Sequence, residues 1–143
     1  MRLSAFTDYS LRVLMYAATK DGALITTKET GEYFGISYNH LVKVVHRLSS
    51  LGLIKVQQGR GGGFRLATSP EKMKIGAIVR QIEPDLRLVE CHNKTENRCA
   101  ITSFCRLKGE LDQALQAFLQ RLDQTTIADM IRDNRAAWTK KSK

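Results

Sequence analysis

The segment between residues 27 and 66 constrains the fold most. Thr27 to Phe34 reads as a short helix, Gly35-Ile36-Ser37 as a tight turn with Ser37 placed as an N-cap, and Tyr38 to Leu51 as a second helix. In that second helix Leu41, Val44, Val45 and Leu48 recur at helical spacing and predict a buried stripe. Asn39, His40, Lys43, His46 and Arg47 are left outside, and Gly52 stands where a C-terminal cap is expected. Two short helices joined by a glycine-containing turn are a helix-turn-helix, whose second helix is the one that reads DNA. Residues 53–57 and 64–66 then predict two strands around Gly59-Arg60-Gly61-Gly62-Gly63, a hairpin with a glycine-rich tip. The succession is a winged-helix layout, with Arg60 placed to enter a narrow, electronegative minor groove. The glycines do not fit a nucleotide phosphate loop, because no helix starts after them and no Gly-Lys-Ser/Thr follows.

Around this module, Leu11, Leu14, Met15 and Ala18 predict a first amphipathic helix from Thr7 to about Lys20 and Gly22. Pro70 opens a linker, and Ile75 to Ile82 predicts a short helix that stops before Pro84. Leu107, Leu111, Ala114, Leu115, Phe118 and Leu122 mark a long C-terminal helix. Its apolar stripe exceeds what one small domain covers: the chain's own first helix takes part of it, and a two-fold partner would take the rest and match palindromic DNA. The fold class expected is mainly α, a winged helix-turn-helix DNA-binding domain with a long C-terminal dimerisation helix. The end of the chain, from Asn134 to Lys143 with Trp138, is expected to fray.

At 143 residues and 43% hydrophobic, the chain is expected to bury one modest core, which argues against a two-domain enzyme. No apolar run is long enough for a signal peptide or approaches the ~18 residues of a membrane span, so a cytoplasmic location away from the membrane is expected. The net charge is +9, and residues 28–80 hold nine Lys/Arg against three Glu, whereas residues 81–143 hold eleven against nine acids. The basic middle suits a polyanion, nucleic acid above all, and reads equally well as a solvated face.

Cys91, Cys99 and Cys105 are the only cysteines and share one polar stretch, about Asp85 to Cys105. An odd number of thiols without a secretory signal argues against a disulfide framework. Clustered soft thiolates suit an iron–sulfur cluster, zinc or Cu(I). Their spacing, seven residues and then five, is not Cys-x-x-Cys, and by itself fits incidental buried thiols as well. His92 reads as a supporting or surface residue, since consecutive side chains rarely converge on one iron. No nucleophile–base constellation points to an enzyme.

Phe6-Thr7-Asp8-Tyr9 with Leu11-Arg12, Asn39-His40-Leu41-Val42-Lys43, the glycine-rich tip, Ile75-Gly76 with Val79-Arg80, and Cys99-Ala100-Ile101-Thr102 with Cys105-Arg106-Leu107 carry a resemblance. Over about residues 1–131 the chain resembles the IscR/NsrR family of winged-helix iron–sulfur transcription regulators, and its Asn39 to Lys43 and Cys105 to Lys108 runs are similar to the nitric-oxide-sensing branch. The resemblance implies a homodimer with one [4Fe-4S] cluster per chain held by Cys91, Cys99 and Cys105. A [2Fe-2S] cluster or zinc is the alternative. It also implies Asp8 as the oxygen ligand to the partner chain's cluster; without iron, Asp8 simply complements a helix dipole. The cluster-biogenesis branch places a histidine three residues after its last cysteine, where this chain has Lys108, a protonated donor and poor ligand. The Cys91–Cys99 gap is longer than is common in the family, which costs little in loop closure.

For DNA the candidates are Ser37, Tyr38, Asn39, His40 and Lys43 at the start of the reading helix, with Arg47, Arg60 and Arg65 on phosphates or the wing. Each of them also reads as an exposed polar residue with no partner. The organisation expected is residues 1–83 as the winged helix-turn-helix, 84–106 as the cluster-binding loop, 107–131 as the dimerisation helix region and 132–143 as a flexible tail. The function implied is repression of nitric-oxide detoxification genes, relieved when nitric oxide nitrosylates the cluster. The alternatives are a regulator of the same fold that senses iron or cluster supply, and a zinc-stabilised constitutive DNA-binding protein.

Overall fold

The structure is a computed structural model and describes residues 2–139. Helix α1 (Ala5–Ala18) starts two residues before the expected Thr7 because Ser4 caps it, its Oγ accepting the Thr7 N–H at 3.2 Å. Its buried face is also wider than the spacing predicts. Val13, Leu14, Tyr16, Ala17 and Ala18 are buried, whereas Leu11 and Met15 are half-buried. The reason is position: α1 packs against a helix or strand on most of its sides, including the reading helix and the wing. Even its polar residues turn inward, and Ser10, fully buried, donates to the Phe6 carbonyl at 2.7 Å.

Helices α2 (Thr27–Phe34) and α3 (Tyr38–Ser50) form the helix-turn-helix. Thr26 caps α2, accepting the Glu29 N–H at 3.0 Å. Gly35 ends it at φ +66°, a left-handed turn that a β-carbon would strain, and the Ile36 N–H then reaches the Gly31 carbonyl at 3.0 Å. Leu41, Val44 and Leu48 are buried and Val45 is half-buried, which is the expected stripe. Ser37 occupies the N-cap position of α3 but its side chain makes no capping bond.

Strands β1 (Ile54–Gln57) and β2 (Gly63–Leu66) pair antiparallel, Ile54 opposite Leu66 and Gln57 opposite Gly63. The wing is anchored by Ile25, just before α2, which exchanges two backbone hydrogen bonds with the buried Phe64 at 2.9 and 2.8 Å. Gly63 lies against that bridge: a β-carbon there would stand 2.5 Å from the Ile25 carbonyl oxygen. The backbone has no slack to give, so Gly63→Ala is expected to destabilise the fold by about 1–3 kcal/mol through overpacking. Thermal unfolding reads this directly, and an unchanged melting temperature would contradict the packing described.

Helices α4 (Ile75–Ile82), α5 (Arg106–Asp123) and α6 (Ile127–Ile131) complete the chain. The short α6 is not anticipated from the sequence; a reciprocal capping box between Thr126 and Asp129 sets its start. On α5 only Leu119 is fully buried, with Leu115, Phe118 and Leu122 packed partly against the core. The support comes chiefly from α4 rather than from the expected α1, and Arg80 of α4 grips Asp123 of α5 through two hydrogen bonds of 2.7 Å. The other end of α5 leaves apolar side chains uncovered: Leu107 is 64% exposed and Phe104, just before the helix, 73%.

Of the segment expected to be a tail, residues 132–139 are described and 140–143 lie outside the described residues. Trp138 stacks on Tyr33 at 6.3 Å between ring centres and meets Phe34 edge-on, both on α2, and Arg135 pairs with Asp21.

Candidate functional site

The candidates for DNA contact lie on α3, mostly at its start, and on the wing. Ser37, Tyr38, Asn39, His40 and Lys43 are all exposed at the start of α3, and Tyr38, a large ring, is 59% exposed. This follows from the α3 stripe, since burying Leu41, Val44 and Leu48 turns the intervening residues outward. Arg60 at the wing tip and Arg65 on β2 are also exposed. The side chains of Asn39, Lys43 and Arg60 have no hydrogen-bonding or ionic partner among the described residues. Two candidates differ. Arg47 donates to the Gln81 carbonyl at 3.0 Å, which ties α3 to the end of α4 and gives it a structural role. His40 lies beside the Tyr9 ring of α1, 6.4 Å between ring centres.

Asp8 sits four residues past the Ser4 cap, in the first turn of the helix that also carries Tyr9. Its carboxylate is gripped by Arg12 one turn on, with Nη2–Oδ2 at 2.7 Å and Nε–Oδ1 at 3.1 Å. Arg12 in turn lies over the Tyr9 ring at 5.9 Å. Asp8, Arg12, Tyr9 and His40 are therefore one run of contacts between α1 and the reading helix. None of the cysteines lines the groove around Asp8, whose far wall is Phe34, Gly35 and Ile36.

The cysteine loop runs from the end of α4 to the start of α5. Its entrance is held by Asp85, which accepts three hydrogen bonds from Arg87; that guanidinium pushes the Asp85 carboxyl down to about 2. A short 3-10 turn, Glu90–His92, carries Cys91, and Cys105 is the N-cap residue of α5. All three thiols are free; Cys99 is exposed and the other two are half-buried. The donor set fits an iron–sulfur cluster by its chemistry, three soft thiols on one loop with none committed to a disulfide. Among the described residues no three Cys, His, Asp or Glu side chains are already gathered as a metal cage.

Three contacts that organise this region were not read from the sequence. Glu83, at the end of α4, accepts from the Ser4 N–H at 2.9 Å and from the Ser4 hydroxyl at 3.1 Å, so the start of the Asp8-bearing helix is fastened to the start of the cysteine loop. Burial opposes ionisation of Glu83, but hydrogen bonds from Thr7 and Ser4 prevail and hold its pKa below the usual value. Lys108 donates to Asp112 at 2.6 Å, as an i,i+4 pair that the spacing alone makes visible. His92 and Asp112, 3.0 Å apart, join the loop to α5.

The comparisons cover both regions. The sequence pattern of Rrf2, described as "Iron-dependent Transcriptional regulator", matches residues 3–133. The chain is 48% identical over 132 residues to "HTH-type transcriptional regulator NsrR" of Shouchella clausii, spanning 92% of this chain and 89% of the relative. It is 45% identical over 134 residues to the protein of the same name in Bacillus subtilis, spanning 93% and 92%. Among solved structures, "T. potens IscR" superposes with a TM-score of 0.75 at 24% identity over 99% of this chain and 94% of that one. CymR, "the Global Cysteine Regulator of B. subtilis", superposes with a TM-score of 0.73 at 25% identity over 98% of this chain and 99% of that one. The winged helix and the cysteine loop thus lie within one continuous family match, and the chain belongs to the Rrf2 family of transcriptional regulators.

Proposed function

We propose that the chain is a homodimeric DNA-binding repressor that responds to nitric oxide through a [4Fe-4S] cluster, held by Cys91, Cys99 and Cys105 of one protomer and by Asp8 of its partner. The observation that carries this reading is the pairing, in one Rrf2 chain, of three free thiols on the loop between α4 and α5 with a winged helix on which Asn39, Lys43 and Arg60 are exposed and unpaired among the described residues. The NsrR names of relatives at 45–48% identity support the same signal. Lys108 supports it over iron-supply sensing by the cluster-biogenesis arrangement, since its ammonium is committed to Asp112 at the position where that arrangement needs a histidine ligand. The apolar residues left exposed beside the loop, Ile101, Phe104 and Leu107, support a second copy as the missing cover of α5.

A bound cluster would offer iron to nitric oxide, and Asp8, a hard carboxylate, would hold that iron less firmly than Cys91, Cys99 and Cys105 do as thiolates. The protein's part is to give Asp8 two alternative engagements. Freed from the partner's site, its carboxylate has Arg12 within its own helix to return to. Arg12 touches Tyr9, and Tyr9 touches His40 at the DNA-reading end of α3, so the choice Asp8 makes is transmitted to the helix that sits in the major groove. A dimer reads successive grooves about 34 Å apart, so a small rotation of the two reading helices loses several phosphate contacts together.

Asp8→Ala is expected to flatten this response. The variant should still bind DNA without nitric oxide, but with the dose needed for release moved by several-fold. Fluorescence anisotropy of a labelled operator during nitric oxide titration reads the dose, and an unchanged dose–response curve removes Asp8 from the signal path.

A further inference from the structure

The C-terminal end of α4 holds three other helices of the chain within four residues. Arg80 reaches Asp123, the last residue of α5, through two hydrogen bonds of 2.7 Å. The Gln81 carbonyl accepts from Arg47 of the reading helix α3 at 3.0 Å. Glu83 accepts from the N–H and the hydroxyl of Ser4, the cap of α1, at 2.9 and 3.1 Å. The cysteine loop leaves from the same place, directly after Glu83 and Pro84. The reading helix, the long helix α5, the Asp8-bearing helix and the cysteine loop therefore share one anchor.

Local chemistry explains the arrangement. Helix α4 stops at Ile82, two residues before Pro84, so the Gln81 carbonyl has no partner four residues on within its own helix. A cation suits both that carbonyl and the negative end of the helix dipole, and Arg47 supplies one from the last turn of α3. Arg80 meets Asp123 as a two-pronged pair, which fixes direction as well as distance. Between the two contacts, Ile75, Ile78, Val79 and Ile82 are buried and seat α4 in the core. Arg47 and Arg80 are themselves exposed, so their bonds contribute little to folding stability. What such bonds do fix is the orientation of one helix against another.

We propose that Arg47 and Arg80 are the two ends of a strut through α4 that sets the angle of the reading helix relative to α5. Arg47 is a positioning residue in this assignment and not the phosphate contact expected from its place on α3. A displacement of α5 or of the cysteine loop moves the end of α4, and the Gln81 carbonyl carries α3 with it. One consequence rests on the homodimer reading above: with α5 held against a second copy, the strut fixes the separation of the two reading helices. The link between α3 and α5 within one chain does not depend on it.

The test uses the full-length chain, purified without oxygen and compared at equal iron content, as wild type, Arg47→Met, Arg80→Met and the double variant. The probe is DNA that the wild-type chain selects from a randomised pool, together with copies whose half-sites stand one base pair closer or further apart. Melting temperatures are expected to stay near wild type. Each single variant is expected to bind the selected DNA about two- to thirtyfold more weakly and to discriminate less between the spacings. The slope of log affinity against log salt is expected to stay constant in Arg47→Met, and the double variant to lose no more than the weaker-binding single one. A slope that falls by about one in Arg47→Met assigns that side chain to a phosphate and overturns the proposal. Losses that multiply in the double variant overturn it too, because two independent residues behave that way. Wild-type affinity in either single variant does the same. Wild type that sediments as a monomer and is blind to spacing would sink the homodimer reading, while the salt slope and the double variant still decide the strut.

Discussion

Alanine at Cys91, Cys99 or Cys105, one at a time, is expected to give a chain that folds normally yet loses nearly all cluster iron and sulfide, from about four of each per chain towards none. The expectation separates ligation from structure because none of the three thiols belongs to the buried core, which is built from residues such as Leu14, Leu41, Phe64, Val79 and Ile127. Circular dichroism and melting temperature should therefore stay near wild type while the visible absorbance disappears. A cluster needs all of its thiolates, and no spare Cys stands nearby to replace one. Full iron and sulfide in any one variant, purified without oxygen, would exclude that cysteine as a ligand. Asp8→Ala offers the contrast, since removing the single hard ligand is expected to leave the cluster bound and only more labile.

The second large effect is expected at the start of α3. Asn39 is exposed, has no side-chain partner among the described residues, and occupies the end of a reading helix from which base edges are reached. Its amide matches adenine bidentately, so Asn39→Ala should cost about 1–3 kcal/mol on the specific operator, roughly 5- to 150-fold in affinity, and little on random DNA. Lys43→Ala should behave differently. A phosphate contact is blind to sequence, so both DNAs should bind more weakly and the slope of log affinity against log salt should fall by about one. Arg60→Ala is expected to weaken binding mostly at A/T-rich steps, where the minor groove is narrow. Equal losses on operator and random DNA for Asn39→Ala would assign that side chain to the backbone instead of a base.

The parts of this fold legible in the sequence are those written at short range. The turn at Gly35, the stripe of Leu41, Val44 and Leu48, and the glycine-rich wing each depend on residues a few positions apart, and their elements lie within a residue or so of the expected bounds. The width of the α1 core face was not legible, because periodicity describes a helix with one wet side and α1 has almost none. Nor were Ser4 with Glu83, Arg80 with Asp123 and His92 with Asp112, which join residues far apart in the chain and leave no local pattern. The capping box at Thr126 and Asp129 was available as a local signal and would have marked α6. At the site, spacing brought the three cysteines to one loop, but only the structure shows two of them half-buried while the third stays exposed.

A single titration tests the cluster and its coupling to DNA most directly. Full-length protein purified without oxygen is examined by ultraviolet–visible absorption, with iron and sulfide assays, and nitric oxide is then added while binding to operator DNA is followed in the same cuvette. The expected result is brown protein with about four iron and four sulfide per chain, whose absorbance bleaches over the same range of nitric oxide in which DNA is released. Colourless protein carrying one zinc, with DNA affinity indifferent to nitric oxide, would contradict it and leave a winged-helix DNA-binding protein that senses nothing through its cysteines.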